Sequence, residues 1–211
     1  LKSKIRNLKL EILIFMPAIK TQRNSTKKEV IINKAARLFR EKGFAGTSMR
    51  DLAEDVGVEA ASLYNHIQSK AEILQDICFR VANIFIEHLE KIEGNKQHSI
   101  DKIKAILRFH IQHIVNNYED VYVADREWRH LSEPYLSNYK VQRKSYRQRL
   151  AAIIEEGIRK KEVKAIDAPT AVLIMLHAIS GIESWHRSKQ KISAEQLEKN
   201  MIVILVEGLK I

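Results

Sequence analysis

The chain has 211 residues, 36 Lys and Arg against 26 Asp and Glu, and a formal net charge of +10. With 45% hydrophobic residues it is long enough for a buried core but too short for a multidomain enzyme, and only 7 Gly and 3 Pro exclude collagen-like and low-complexity classes. The basic balance favours a polyanionic partner such as nucleic acid or a membrane surface, without specifying a fold.

In chain order, Leu1 to Phe15 sets basic residues before the short apolar run Ile12 to Phe15, which is too short for a membrane span. Met16 reads as a natural start and residues 1–15 as an upstream extension. Over residues 1–28, eight Lys and Arg face a single Glu. Residues 1–26 are therefore predicted to form a basic arm, with Lys20 to Lys28 reaching a minor groove or phosphates; a disordered basic tail is the alternative.

Ser25 or Thr26 can cap a helix over Lys27 to Lys42, in which Ile31, Ala35, Leu38 and Phe39 form one apolar stripe. Gly43 fits the left-handed residue beyond it. Thr47 or Ser48 then caps a short helix carrying Met49, Leu52, Ala53 and Val56, which Gly57 ends. A third short helix covers about Ala60 to Ile67. Ser69-Lys70-Ala71-Glu72 has capping-box form and opens a long helix to about Glu93. Further helices are predicted over about 100–116 (capped by Ser99), 118–131 and 135–161, from a start marked by Asp167 and Pro169 through the apolar Ala171 to Ile182, and from the capped Ser193-Ala194-Glu195-Gln196 through Leu197 to Leu205. With no sustained strand alternation, the fold class is all-α, with about nine helices.

The two short helices joined at Gly57, with small Ala53 admitting a close crossing, have helix-turn-helix spacing, although an ordinary helical hairpin shares it. The wider text is more specific. Ile31-Ile32-Asn33-Lys34-Ala35-Ala36-Arg37-Leu38-Phe39-Arg40-Glu41-Lys42-Gly43-Phe44, then Gly46-Thr47-Ser48-Met49-Arg50-Asp51-Leu52-Ala53, then Leu63 to Leu74, resemble the N-terminal domain of TetR-type (tetracycline-repressor-like) transcriptional regulators.

The resemblance implies a DNA-binding head over 27–76, a helical effector-binding and dimerisation body over 77–211, and a homodimer on a palindromic operator. It places Thr47 and Ser48, with the N–H groups of the second helix, at a phosphate, as helix N-termini favour. Tyr64, His66 and Lys70 match backbone-contacting positions, and base readout falls to Arg50, Ala60, Ala61, Ser62 and Asn65. The chain departs from the family pattern at Glu59 and Ala60, where a small hydroxyl and a lysine are common. It departs again at Asn65, in place of an aromatic or His, and at Ile67, in place of Phe. A Glu59 that does not cap its helix repels phosphate.

In the body, Ala171 to Ile182 is apolar nearly all round and must be covered on two sides. With Leu197 to Leu205 it is the predicted interface between two copies. Gly181-Ile182-Glu183-Ser184-Trp185-His186 looks like family members that sense acyl- or sterol-derived CoA-type effectors. Candidate pocket residues are Phe85, Phe109, His113, Tyr122, Arg126, Trp128, His177 and Trp185, most of which fit a core or interface role better, since aromatic residues at helical spacing usually pack. A buried Arg126 would call for an anionic ligand.

No Gly-rich phosphate loop, Gly-x-Ser-x-Gly elbow or Cys pair occurs, and His110 and His113 lack a carboxylate at ligand spacing. Neither catalysis, a metal nor a cofactor is predicted, and lone Cys78 cannot close an intramolecular disulfide. Competing readings are a constitutive DNA-compacting protein and peripheral membrane binding through Ile5 to Phe15. The preferred one is a cytoplasmic, effector-responsive repressor without membrane attachment.

Overall fold

The structure, a computed structural model, describes residues 25–188 and 192–209. The Met16 start and all of the basic arm before Ser25 lie outside the described residues. The described residues form ten α-helices: α1 (Ser25–Lys42), α2 (Met49–Val56), α3 (Ala60–Tyr64), α4 (Lys70–Glu93), α5 (Ser99–Asn116), α6 (Tyr118–Arg126), α7 (Tyr135–Arg159), α8 (Ala168–Ser180), α9 (Ile182–Arg187) and α10 (Ala194–Val206). Short 3₁₀ turns cover Trp128–His130 and Glu207–Leu209. There is no β-strand among the described residues, so the fold is all-α.

The head is fixed by local chemistry. Helix α1 buries Ile31, Ile32, Ala35, Ala36, Leu38 and Phe39, a wider stripe than the four predicted positions. It ends at Gly43, and α2 at Gly57, with φ of 76° and 80°, a region nearly closed to residues with a Cβ. Ser48, rather than Thr47, caps α2. Its hydroxyl accepts from the Asp51 N–H at 3.1 Å while the Asp51 carboxylate accepts from the Ser48 N–H at 2.8 Å, a complete capping box.

Several boundaries differ from the sequence-based expectation for identifiable reasons. Helix α3 stops at Tyr64, after which the chain turns and seats Ile67, like Leu63, in the core. Ser99 does not cap α5; it lies inside the helix, and its N–H is received by the carboxylate of distant Glu162 at 2.6 Å. The helix expected to reach Leu131 ends at Arg126 and tightens to a 3₁₀ turn. This turn brings Trp128 and Leu131 onto the first core cluster. The helix expected to start at Asp167 does so, with Asp167 capping the Thr170 N–H (2.9 Å), but it breaks at Gly181 before the end of its apolar stretch.

Two clusters hold the molecule together. One joins the head to the first half of α4 and includes Val123, Ala124, Leu131 and Tyr139; the other packs α5, α7, α8 and α10 around Leu107, Ile111, Ile154 and Met175. Helix α4 serves both, through Ile73, Leu74, Ile77 and Val81 and then through Leu89 and Ile92. A shift of α4 therefore bears on both halves.

Candidate functional site

Two places gather the predicted site residues. On the head, the buried side of α3 is Leu63, and the opposite side leaves Ala60, Ala61, Ser62, Tyr64 and Asn65 exposed, Tyr64 by 51%. Beside it the start of α2 and the start of α4 enclose a concave surface lined by Gly46, Thr47, Ser48, Met49, Tyr64, Gln68, Ser69 and Lys70. The N–H groups of Met49 and Arg50 precede the first intrahelical bonds of α2 and so lack helical acceptors. Arg50 is exposed and His66 half-buried nearby.

Two residues of this set act differently from expectation. Thr47 is only 2% exposed, and its hydroxyl donates to Gly43 O at 2.9 Å, tying α1 to α2 rather than meeting a phosphate. The Lys70 ammonium donates to Phe44 O and Thr47 O, both at 2.7 Å, and lies 4.5 Å from the centre of the Phe44 ring. It holds the α1–α2 turn, with one of its three protons left for the concave surface. Glu59 stands at the α3 N-cap without a side-chain cap bond, so its carboxylate remains free beside the recognition face.

Most other head cations are paired. Arg37 and Lys34 meet Asp55, Lys42 lies 3.2 Å from Asp51, and Lys28 reaches Glu72 (3.1 Å) and Asp76 (3.0 Å). Lys28 thus folds onto α4 instead of extending the arm. Hydrogen bonds from Ser48, with Lys42 adding to them, hold the Asp51 carboxyl down to about 2.

The second place is a cavity of about 160 Å³ within the body, walled by α4, α5, α6, α7, α8 and α9. Its apolar lining includes Val81, Phe85, Ile114, Val121, Leu176 and Ile179. Toward α6 and α7 it turns polar. The Arg143 guanidinium donates to Asp125 at 3.1 Å and sits over the rings of Trp128 (5.5 Å) and Tyr139 (5.8 Å). Ser180 Oγ, whose one proton is shared between Leu176 O at 3.2 Å and the other Asp125 oxygen at 3.4 Å, adds a weaker contact. Arg126 meets Glu183 at 2.7 Å. On the opposite wall His110 pairs with the Tyr146 hydroxyl at 2.6 Å and stacks on Phe85 at 4.0 Å. Burial pushes the His110 imidazole down to about 3, with His113 and His88 adding to the shift, so at neutral pH it is uncharged.

Of the predicted pocket residues, Phe85, Tyr122 and Arg126 line this cavity. Arg126 is 56% exposed and paired, not the buried lone cation expected. Phe109 instead stacks on His88 at 3.8 Å. His113 faces a separate polar recess with Glu29, Asn33, Arg80, Asn117 and Asp120 between α1 and the body. Trp128 supports Arg143 from behind, exposed His177 bonds to Leu173 O at 2.8 Å, and the Trp185 indole donates to Ile192 O at 2.9 Å. Sequence reading missed Asp125, Gln142, Arg143 and Tyr146. The signal was present on α7: Tyr139, Gln142, Arg143 and Tyr146, at i, i+3, i+4 and i+7, form one inward stripe in an otherwise basic helix.

Cys78 is buried, and that burial pushes its thiol up to about 12, far from thiolate chemistry at neutral pH. No helix among the described residues is long and apolar enough to cross a membrane.

Residues 31–77 match the model of bacterial regulatory proteins of the tetR family, and residues 96–209 match the tetracyclin repressor-like C-terminal domain. IcaR of Staphylococcus aureus, the HTH-type negative transcriptional regulator of the biofilm operon icaADBC, is 31% identical over 163 residues, 75% of this chain and 82% of that protein. The HTH-type transcriptional repressor KstR2 of Rhodococcus jostii is 23% identical over 92% of this chain and 96% of its own length. Among solved structures, the ketosteroid transcriptional regulator KstR2 of Mycobacterium tuberculosis superposes with a TM-score of 0.82 at 20% identity, over 90% of this chain and 97% of that one. AibR in complex with isovaleryl coenzyme A and operator DNA gives 0.75 at 22% identity, over 85% and 97%.

Proposed function

The chain belongs to the tetR family of bacterial regulatory proteins, and we propose that it is a repressor that binds a palindromic operator as a homodimer. In this reading it leaves DNA when a small, partly apolar effector, acyl- or CoA-type among the candidates, enters the body cavity. The observation that carries the DNA reading is the exposed, uncharged α3 face beside the free N–H groups of α2. Short side chains there allow close approach to base edges. Asn65 suits adenine, Ala60 and Ala61 suit thymine methyls, and Ser62 and Arg50 supply further donors. Ser48 with the α2 amides, Tyr64, His66 and the remaining Lys70 proton would meet phosphates and set register.

Selection from a random duplex library should recover an inverted repeat with half-sites about one helical turn apart. Recovery of unrelated sequences with no repeat would overturn the operator reading and favour a constitutive DNA-compacting protein.

The homodimer is supported by apolar side chains that the protomer leaves uncovered: Leu173 and Ile174 (60% exposed) on α8, and Val203 and Ile204 (75%) on α10. Such surface normally marks an interface, and a second copy of the same pair of helices is self-complementary by two-fold symmetry. Ile174→Asp with Ile204→Asp should give monomers in light scattering; a protein already monomeric without them refutes the dimer.

The effector reading rests on the cavity's apolar lining and polar end. At about 160 Å³ it is close to the roughly 150 Å³ that admits benzene and below the roughly 300–1,000 Å³ of drug-sized pockets. It therefore suits a short acyl or single-ring body, and a coenzyme carrier would lie outside. Release follows if the effector favours an arrangement in which α4 shifts and the two α3 helices change separation. A cytoplasmic location follows from the DNA target, and no catalytic step or membrane contact belongs to this reading.

A further inference from the structure

The last turn of α6 carries polar links to four neighbours from four successive residues. Ala124 O accepts the Tyr139 hydroxyl of α7 at 3.0 Å. Asp125 holds Arg143 of α7 at 3.1 Å and Ser180 of α8 at 3.4 Å. Arg126 meets Glu183 of α9 at 2.7 Å. Glu127, just beyond the helix, accepts the N–H of Phe44 at the end of the head's first helix, at 3.2 Å. Phe44 also stacks on His130 at 5.3 Å, and its carbonyl is the one Lys70 holds. Ala124, Asp125 and Arg126 all line the cavity. One helical turn thus touches the cavity on one side and the DNA-binding head on the other.

Among the described residues Asp125 is the carboxylate paired with Arg143, and both groups line the polar end of a largely apolar cavity. Besides Asp125, Arg143 has the rings of Trp128 and Tyr139 beneath it, which support it from a second side. A ligand carboxylate entering from the apolar side would meet a fixed, planar, two-pronged donor whose present partner is a half-exposed side chain on a different helix. Taking that donor would free Asp125 to water and remove one of the two polar ties of α6 to α7, leaving the Tyr139 hydroxyl on Ala124 O.

We propose that the effector is a small monocarboxylate with a short apolar body, and that its carboxylate replaces Asp125 on Arg143, releasing the last turn of α6 and through Glu127 the head. This rests on the reading of the cavity as the effector site, and it narrows that reading, because a thioester of the same acid carries no carboxylate to make the exchange.

The test uses the full chain with hexanoate, neutral hexanamide and hexanoyl-CoA. Binding is read by tryptophan fluorescence, since Trp128 lies against Arg143, and operator release by DNA anisotropy. Hexanoate should bind about tenfold more tightly than hexanamide and release DNA, Asp125→Asn should raise hexanoate affinity several-fold while leaving hexanamide unchanged, and Arg143→Gln should erase the preference. Ser180→Ala, a milder loosening of Asp125, should shift hexanoate about two- to threefold in the same direction.

Equal affinity for hexanoate and hexanamide, or an Asp125→Asn protein that shifts both alike, overturns the exchange. Binding of hexanoyl-CoA alone, abolished by the cavity-filling Ile179→Trp, overturns the exchange but leaves the effector site standing. If none of the three probes binds, the exchange and the effector reading fall together.

Discussion

The recognition surface and the cavity are built on opposite plans. The head's surface is held largely by caps and turns within a few residues, Ser48 with Asp51, Thr47 with Gly43, and Gly57 with Ala53, to which Lys70 adds a longer tie to Phe44 O and Thr47 O. The cavity gathers side chains from six helices, and the pairs His110–Tyr146, Arg126–Glu183, Arg143–Asp125 and Ser180–Asp125 span 18 to 57 positions of chain. Local closure makes the head compact and specific in shape, whereas with distant closure the loosening of one tie can move a whole helix relative to its neighbours.

The largest effect expected from breaking this division is in the head's core. Phe39→Ala removes a fully buried ring and should lower the head's stability by about 3–5 kcal/mol. DNA binding should vanish, while circular dichroism still reports a helical body and light scattering gives the same mass as for the unaltered protein. Loss of all helical signal would show that the two regions unfold as one.

Acid should act on the other side. His110 is neutral in the fold, with its value pushed down to about 3 from the ordinary 6.5. The unfolded chain therefore binds the extra proton first, so stability is complete above about pH 6.5 and falls by about 1.4 kcal/mol per pH unit as pH drops toward 3. Burial pushes His88 and His113 in the same direction. Denaturant midpoints at pH 7.5 and 5.5 should differ, and His110→Gln should remove part of that difference. An unchanged pH dependence would place the sensitive group elsewhere.

Asn65→Ala should weaken operator binding by about 1–3 kcal/mol and relax preference at one base position, while the melting temperature stays fixed because Asn65 is exposed. Equal weakening on every sequence would reassign Asn65 to phosphate contact. Smallest of all, Lys28→Ala removes half-exposed pairs with Glu72 and Asp76 and should change stability by less than about 1 kcal/mol. A larger loss would mean that the first turn of α1 is anchored through this one side chain.

How far each region could be read from sequence follows the same division. Ser48, Gly43, Gly57 and the Leu52, Ala53, Leu63 spacing were legible because caps, left-handed turns and helical periodicity are short-range consequences of residue type. Lys70 was legible as a position but not as a role, since its carbonyl partners depend on where the α1–α2 turn lies in space. Phe109, Trp128, His177 and Trp185 were plausible pocket residues by type, and the fold spent them on stacking, support and backbone bonds. The inward stripe of α7 was written in the spacing of Tyr139, Gln142, Arg143 and Tyr146, but the basic residues between them obscured it.

The sequence by itself determined an all-helical chain and several of its caps and left-handed turns, because these depend on chemistry acting over three or four residues, and its resemblance to a known family supplied the DNA-binding head. Only the tertiary structure decided which side chains face the cavity, that Arg126 is paired and Arg143 is the inward cation, and that one turn of α6 joins cavity to head. Those outcomes depend on how helices distant in sequence rotate against one another, and a helix's periodicity marks its buried face without naming what lies across from it.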